Sequence, residues 1–199
     1  MDSTSIPTLK TAPATLPVSV ADIKAHLAVD FDDNDDLIKS YLSAAVSRLD
    51  GYRGELKRCL INQTWEQSFC GWPCIEPFRL WFPDISRAQI SYESEDGGLE
   101  QVDPSVLELA GSVEGSDLYL AKSFALPRLN AAKKHPVKIA YVTGFGEQPE
   151  DVPAAIGAAI KMMVGHMYNA REDVVIGSIA ISVPHSSKFM LEPYRRFVW

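Results

Sequence analysis

Three cysteines, Cys59, Cys70 and Cys74, are too few and too unevenly spaced to make a disulfide framework, so reduced, mostly buried thiols are expected. Cys70 and Cys74 bracket Gly71, Trp72 and Pro73, a gap that suits two metal ligands. No second Cys/His pair follows, and a structural zinc takes four ligands, so no metal is expected. An excess of basic residues is also missing. The 199 residues carry 19 Lys and Arg against 26 Asp and Glu, a formal charge of -7, which argues against a dedicated nucleic-acid binder with a basic face. No apolar run approaches the ~18 residues that span a bilayer. The start, MDSTSIPTLK, lacks the charged and apolar regions of a signal peptide, so the expected compartment is the cytoplasm of the cell that makes it.

Catalytic signatures are scarce as well. His26, His135, His166 and His185 share no spacing, and no serine sits in a nucleophile elbow. Gly144-x-Gly146 follows an apolar stretch as a phosphate loop would, but a third glycine is absent. Glu147, Glu150 and Asp151 come next and would repel an anion from the helix that follows. Asp30, Asp32 and Asn34 imitate the start of a calcium loop, yet its sixth position is Asp35 rather than Gly and its twelfth is Tyr41 rather than Glu. Neither a cofactor nor an enzyme is expected. The contrary reading is an enzyme whose site is assembled from scattered residues such as Cys70 and His166.

What the chain does have is a 46% hydrophobic composition, enough to bury a core, and clear periodicity. Val152 to Arg171 reads as one long helix with Asp151 as N-cap and Pro153 in its first turn. Its core face would carry Val152, Ile156, Ala159, Ile160, Met163, Met167 and Ala170. The opposite face holds Ala154, Gly157, Ala158, Lys161, Gly165, Tyr168 and Asn169, small residues where a surface helix is normally rich in Glu and Lys. That face is expected to pack closely, either on its own domain or on a neighbouring subunit.

Residues 1–17 are rich in Pro, Thr and Ser without a period and read as a flexible or extended arm. Ser19 to Asp22 has the form of a capping box opening a short helix to Leu27. The acidic run Asp30 to Asp36 sits where a helix N-terminus favours negative charge, and Leu37, Ile38, Tyr41, Leu42, Ala45, Val46 and Leu49 continue as an apolar face. After Gly54 the period becomes two. Ile61, Trp65 and Phe69 share one face of a strand, Phe78, Leu80 and Phe82 alternate, and Asp96-Gly97-Gly98 is a hairpin turn. Residues 99–134 give only loops and short strands, and Val137 to Val142 is a clearer strand. Val174 to Val183 reads as two short strands about a Gly-Ser turn, and Ser186 to Leu191 as a helical turn.

Several phrases, in order, resemble the head-tail connector, or adaptor, proteins of long-tailed bacteriophages and related gene transfer agents. They are LPVSVADIKAHL at residues 16–27, the acidic link into Leu37-Ile38, LINQTW at 60–65, YVTGFG at 141–146, Asp151-Val152-Pro153 with the Ala/Ile helix behind it, HMYNARE at 166–172, and Pro193-Tyr194-Arg195. The resemblance implies a non-catalytic virion subunit in the neck at the head-tail junction, made in the host cytoplasm. It implies a ring, expected to be a dodecamer, docked under the portal protein and facing stopper or tail proteins, with DNA passing through the channel unread. The alternative within the same particle is a tail-completion protein.

Under that resemblance Ala154, Gly157, Ala158, Lys161 and Gly165 are the expected subunit interface. Tyr194, Arg195, Arg196, Phe197 and Trp199 are expected at the portal, and Asp32, Asp33, Asp35 and Asp36 are candidates to line the channel, where acids would let DNA slide. The expected fold is α+β: a helical body with a long central C-terminal helix plus a small antiparallel β part. The expected division is an arm at 1–17, a connector domain at 18–172, and a hairpin with docking tail at 173–199.

Overall fold

The computed structural model describes residues 5–73, 77–112, 115–170 and 185–196. They divide between two compact units whose sequences interleave: residues 1–14 and 62–144 form one, and residues 15–61 and 145–199 the other.

The first unit is made of strands. In chain order they are β1 (Thr8–Thr11), β2 (Gln63–Phe69), β3 (Phe78–Leu80), β4 (Ile85–Glu93), β5 (Leu99–Gln101), β6 (Leu107–Ser112), β7 (Gly115–Leu120) and β8 (Val137–Thr143). They form a five-stranded sheet in the order β1-β2-β8-β4-β5 and a three-stranded sheet in the order β3-β7-β6. Every pairing is antiparallel. β2 and β8 both alternate buried and half-buried positions, which brings Trp65 opposite Tyr141 and Phe69 opposite Val137 on the core face. Gly97, with φ of +81°, makes the turn between β4 and β5 that the Asp-Gly-Gly run predicts.

Two side chains tie this core together. Buried Gln67 accepts hydrogen bonds from the Tyr141 hydroxyl at 2.8 Å and the Trp81 backbone N–H at 2.9 Å, and donates to the Arg79 carbonyl at 3.3 Å. Trp72 meets Phe78, Tyr92 and Phe124 edge-on at 6.3, 5.2 and 6.1 Å, while its indole N–H donates to the Pro127 carbonyl at 2.9 Å. Trp72, midway between Cys70 and Cys74, is thus an aromatic anchor. Cys70 is exposed, and Cys74 lies outside the described residues.

The second unit holds α1 (Val20–Leu27), α2 (Asp35–Leu49), α3 (Ala154–Asn169) and α4 (His185–Leu191). Its core comprises Ile23, Ile38, Leu42, Ala45, Leu49, Ile156, Ala159, Ile160, Val164 and neighbours. The capping box opens α1 as the sequence indicates: the Ser19 hydroxyl accepts from the Asp22 N–H at 3.0 Å. At α2 the N-cap residue Asn34 makes no side-chain capping bond, and its amide N–H donates to the Tyr168 hydroxyl of α3 at 2.7 Å.

The expected fold class needs correction. The described residues contain eight strands in two antiparallel sheets and four short helices of 8, 15, 16 and 7 residues, so the molecule is not a helical body with a small β part. Nor do the described residues include a long central helix. α3 is one residue longer than α2 and about 24 Å long. It loses its start because Pro149–Asp151 forms a separate 3-10 turn in which the Asp151 carboxylate accepts from the Gln148 N–H at 2.9 Å, leaving Pro153 as N-cap. The strands were underestimated because β5 is exposed at all three positions and β6 does not alternate cleanly, so neither shows a period of two. Within the expected arm, Thr8–Thr11 is a strand paired with β2. The expected hairpin at Val174 to Val183 lies outside the described residues.

Candidate functional site

The face of α3 that carries small residues meets α1 and the turn before it. A methyl group built on Gly165 would stand 3.5 Å from Leu27 Cδ2 and 3.7 Å from His26 Nε2, and one on Gly157 would stand 3.9 Å from Val18 Cγ2. Gly165 is buried, Gly157, Ala158 and Lys161 are half-buried, and Ala154 is exposed. The five residues therefore share a helix but not an environment: Gly165 is covered by its own unit, while Ala154 is open. Lys161 acts on Asp22 of α1. The Asp22 carboxyl is held below its usual range first by hydrogen bonds from Ser19 and in a smaller degree by the Lys161 charge.

Beside Gly165 the two helices leave an open groove of about 450 Å³ lined by His26, Leu27, Met162, Gly165, His166 and Asn169. His166 is thus grouped with His26, and Cys70 belongs to the other unit.

Around the C-terminal residues, the Tyr194 ring stands edge-on to Phe145 at 6.4 Å. Arg196 is anchored twice: its backbone N–H donates to the Leu56 carbonyl at 3.2 Å and its guanidinium to the Lys57 carbonyl at 3.2 Å. Arg195 is exposed, and Phe197 and Trp199 lie outside the described residues. Phe189 carries no signal legible in the sequence. On α4 it is 76% exposed, while Ser187 and Leu191 of the same helix are buried. A seven-residue helix offers too few turns for its outward face to be told by periodicity.

The acidic cluster is partly neutralised. Lys24 of α1 pairs with both Asp32 and Asp35, the latter at 2.9 Å, and Asp36 meets Lys39 at 3.3 Å. The Lys24 contact holds the Asp32 carboxyl below its usual range, and the two aspartates raise Lys24. Among the described residues Asp33 alone of the four has no ion pair. At Gly146 a side chain would strike the Asp151 carboxylate, and the same carboxylate takes the Gln148 N–H at 2.9 Å that an anion at this turn would compete for. No helix among the described residues is long and apolar enough to cross a membrane.

Residues 17–67 match the sequence model of the phage gp6-like head-tail connector proteins. No curated protein matches the sequence. Among solved structures, the chain is similar over 98% of its length to a chain, 97% covered, in the virion of a native gene transfer agent (GTA) particle, with a TM-score of 0.74 and 19% identity. The same coverage holds for a chain in the neck of an empty GTA particle computed with C6 symmetry, at TM-score 0.74 and 18% identity. A third likeness, again with that coverage, is to a chain in the neck of a native GTA particle computed with C12 symmetry, at TM-score 0.71 and 19% identity. Residues 17–67 thus carry the signature of the phage gp6-like head-tail connectors, and the chain as a whole has the fold of the GTA particle chains that it matches.

Proposed function

We propose that this protein is a head-tail connector subunit that forms a ring in the neck of a phage or gene transfer agent particle. One coincidence carries the reading: the connector signature at 17–67 occurs in a chain whose fold matches, nearly end to end, chains from GTA particles, two of those structures being necks with C12 and C6 symmetry.

In this reading the ring links the portal of a DNA-filled head to stopper or tail proteins. The open part of the small-residue face of α3, Ala154 with half-buried Gly157, Ala158 and Lys161, lies toward the neighbouring subunit. Gly165 contributes by letting α1 and α3 close up. Exposed Arg195, beside Tyr194 and Arg196, serves the portal side together with Phe197 and Trp199. Asp33 is better placed to repel passing DNA than Asp32 and Asp35, which share the Lys24 charge, or Asp36, which meets Lys39.

Deleting the gene and imaging the particles tests this reading. DNA-filled heads without tails, restored to tailed particles by the wild-type gene, are the expected result. Normal tailed particles in its absence would overturn it.

A further inference from the structure

We propose that Phe189 of one subunit seats in the groove between α1 and α3 of the next, so that the ring closes through two different patches of the helical unit. The inference rests on the ring reading above and names the contact that makes it.

Phe189 is the most exposed large hydrophobic residue among those described, at 76%, on a helix that buries Ser187 and Leu191 on its other side. An aromatic ring held outward on an anchored helix is the usual form of an interface knob. The groove has the matching form. Gly165 lacks a side chain, so Leu27 and the Met162 thioether supply the apolar surface, and a thioether suits an aromatic edge. His26, His166 and Asn169 add polar groups to the same lining, so the groove offers a seated ring both apolar and polar neighbours. Its volume of about 450 Å³ exceeds that of a phenyl ring, leaving room for flanking residues.

The charges match as well. Exposed Lys188 and Glu192 flank Phe189. One helical turn before the groove residues His26 and Gly165 stand exposed Asp22 and half-buried Lys161. Each patch thus carries one acid and one base beside its apolar residues, so Lys188 can meet Asp22 and Glu192 can meet Lys161 of the neighbour. Because knob and groove are different surfaces, the contact is head-to-tail, the type that generates a closed ring when the rotation fits.

The edges of the five-stranded sheet are poorer ring contacts. β5 has only three residues, and β1 carries a register shift at Lys10, both devices that discourage edge pairing.

Cross-linking decides the question. Phe189→Cys and Met162→Cys subunits are mixed, assembled with the cognate portal, and treated with a short bis-maleimide; wild-type rings with their native cysteines provide the background. The expected result is a covalent dimer in the mixture and in neither single variant. Rings of full mass without that dimer, or Phe189→Cys rings that dimerise equally well alone, would overturn this contact while leaving the ring intact. Failure of the wild type to form any ring would overturn both. Phe189→Ala is expected to raise the concentration needed for half-assembly about tenfold with an unchanged thermal midpoint, and unchanged assembly would count against the knob.

Discussion

Gly165 of α3 lies against Leu27 of α1 at a distance that admits a methyl group: a Cβ there would stand 3.5 Å from Leu27 Cδ2. Gly165→Ala should therefore fit and, by reducing the freedom of the unfolded chain, stabilise the protein by about 0.4–1 kcal/mol. Gly165→Leu should overfill the contact and cost about 1–3 kcal/mol. Urea denaturation of both variants checks the pair. A destabilised alanine variant would mean that the helices approach more closely than described.

Gln67 and Tyr141 form the central polar contact of the strand unit, at 2.8 Å in a buried setting. Gln67→Leu removes the acceptor used by both Tyr141 and the Trp81 N–H and should cost about 1–3 kcal/mol. Adding Tyr141→Phe should cost less in that background than in the wild type, with a coupling of about 0.5–3 kcal/mol in a double-mutant cycle. Strictly additive effects would show that the hydrogen bond contributes nothing.

The Tyr92 hydroxyl donates to the Glu100 carboxylate across β4 and β5, and this bond, with burial and the carboxylate charge, pushes the Tyr92 pKa up to about 12. A folded pKa above the unfolded value of about 10 means that the contribution is complete below pH 10 and is lost as pH rises through about 12. In an ultraviolet titration Tyr92, identified by Tyr92→Phe, should ionise late, and Glu100→Gln should bring it back toward 10. An unmoved midpoint in that variant would remove Glu100 as the cause.

Elements with a strong local signal were legible in the sequence. The Ser19 and Asp22 capping box, the alternation of β2 and β8, and the Asp96-Gly97-Gly98 turn each depend on residues close in the chain, so short-range chemistry announces them. The size of the β part was hidden because β5 and β6 do not alternate. The start of α3 was misplaced because Pro149–Asp151 competes for the same acidic cap. The small-residue face of α3 was legible as a close-packing surface, but composition could not say that α1 covers Gly165 and leaves Ala154 open. Phe189 was silent for a related reason, since exposure is decided by where the rest of the unit lies.

A ring is the most direct consequence of the connector reading, and its mass is the measurement that tests it. Purified protein should be weighed in solution alone and then with its cognate portal. Twelve copies of the 22.0 kDa chain would add about 260 kDa, either as a free ring or as a stable addition that appears with the portal. A 22.0 kDa species that ignores the portal would contradict the account.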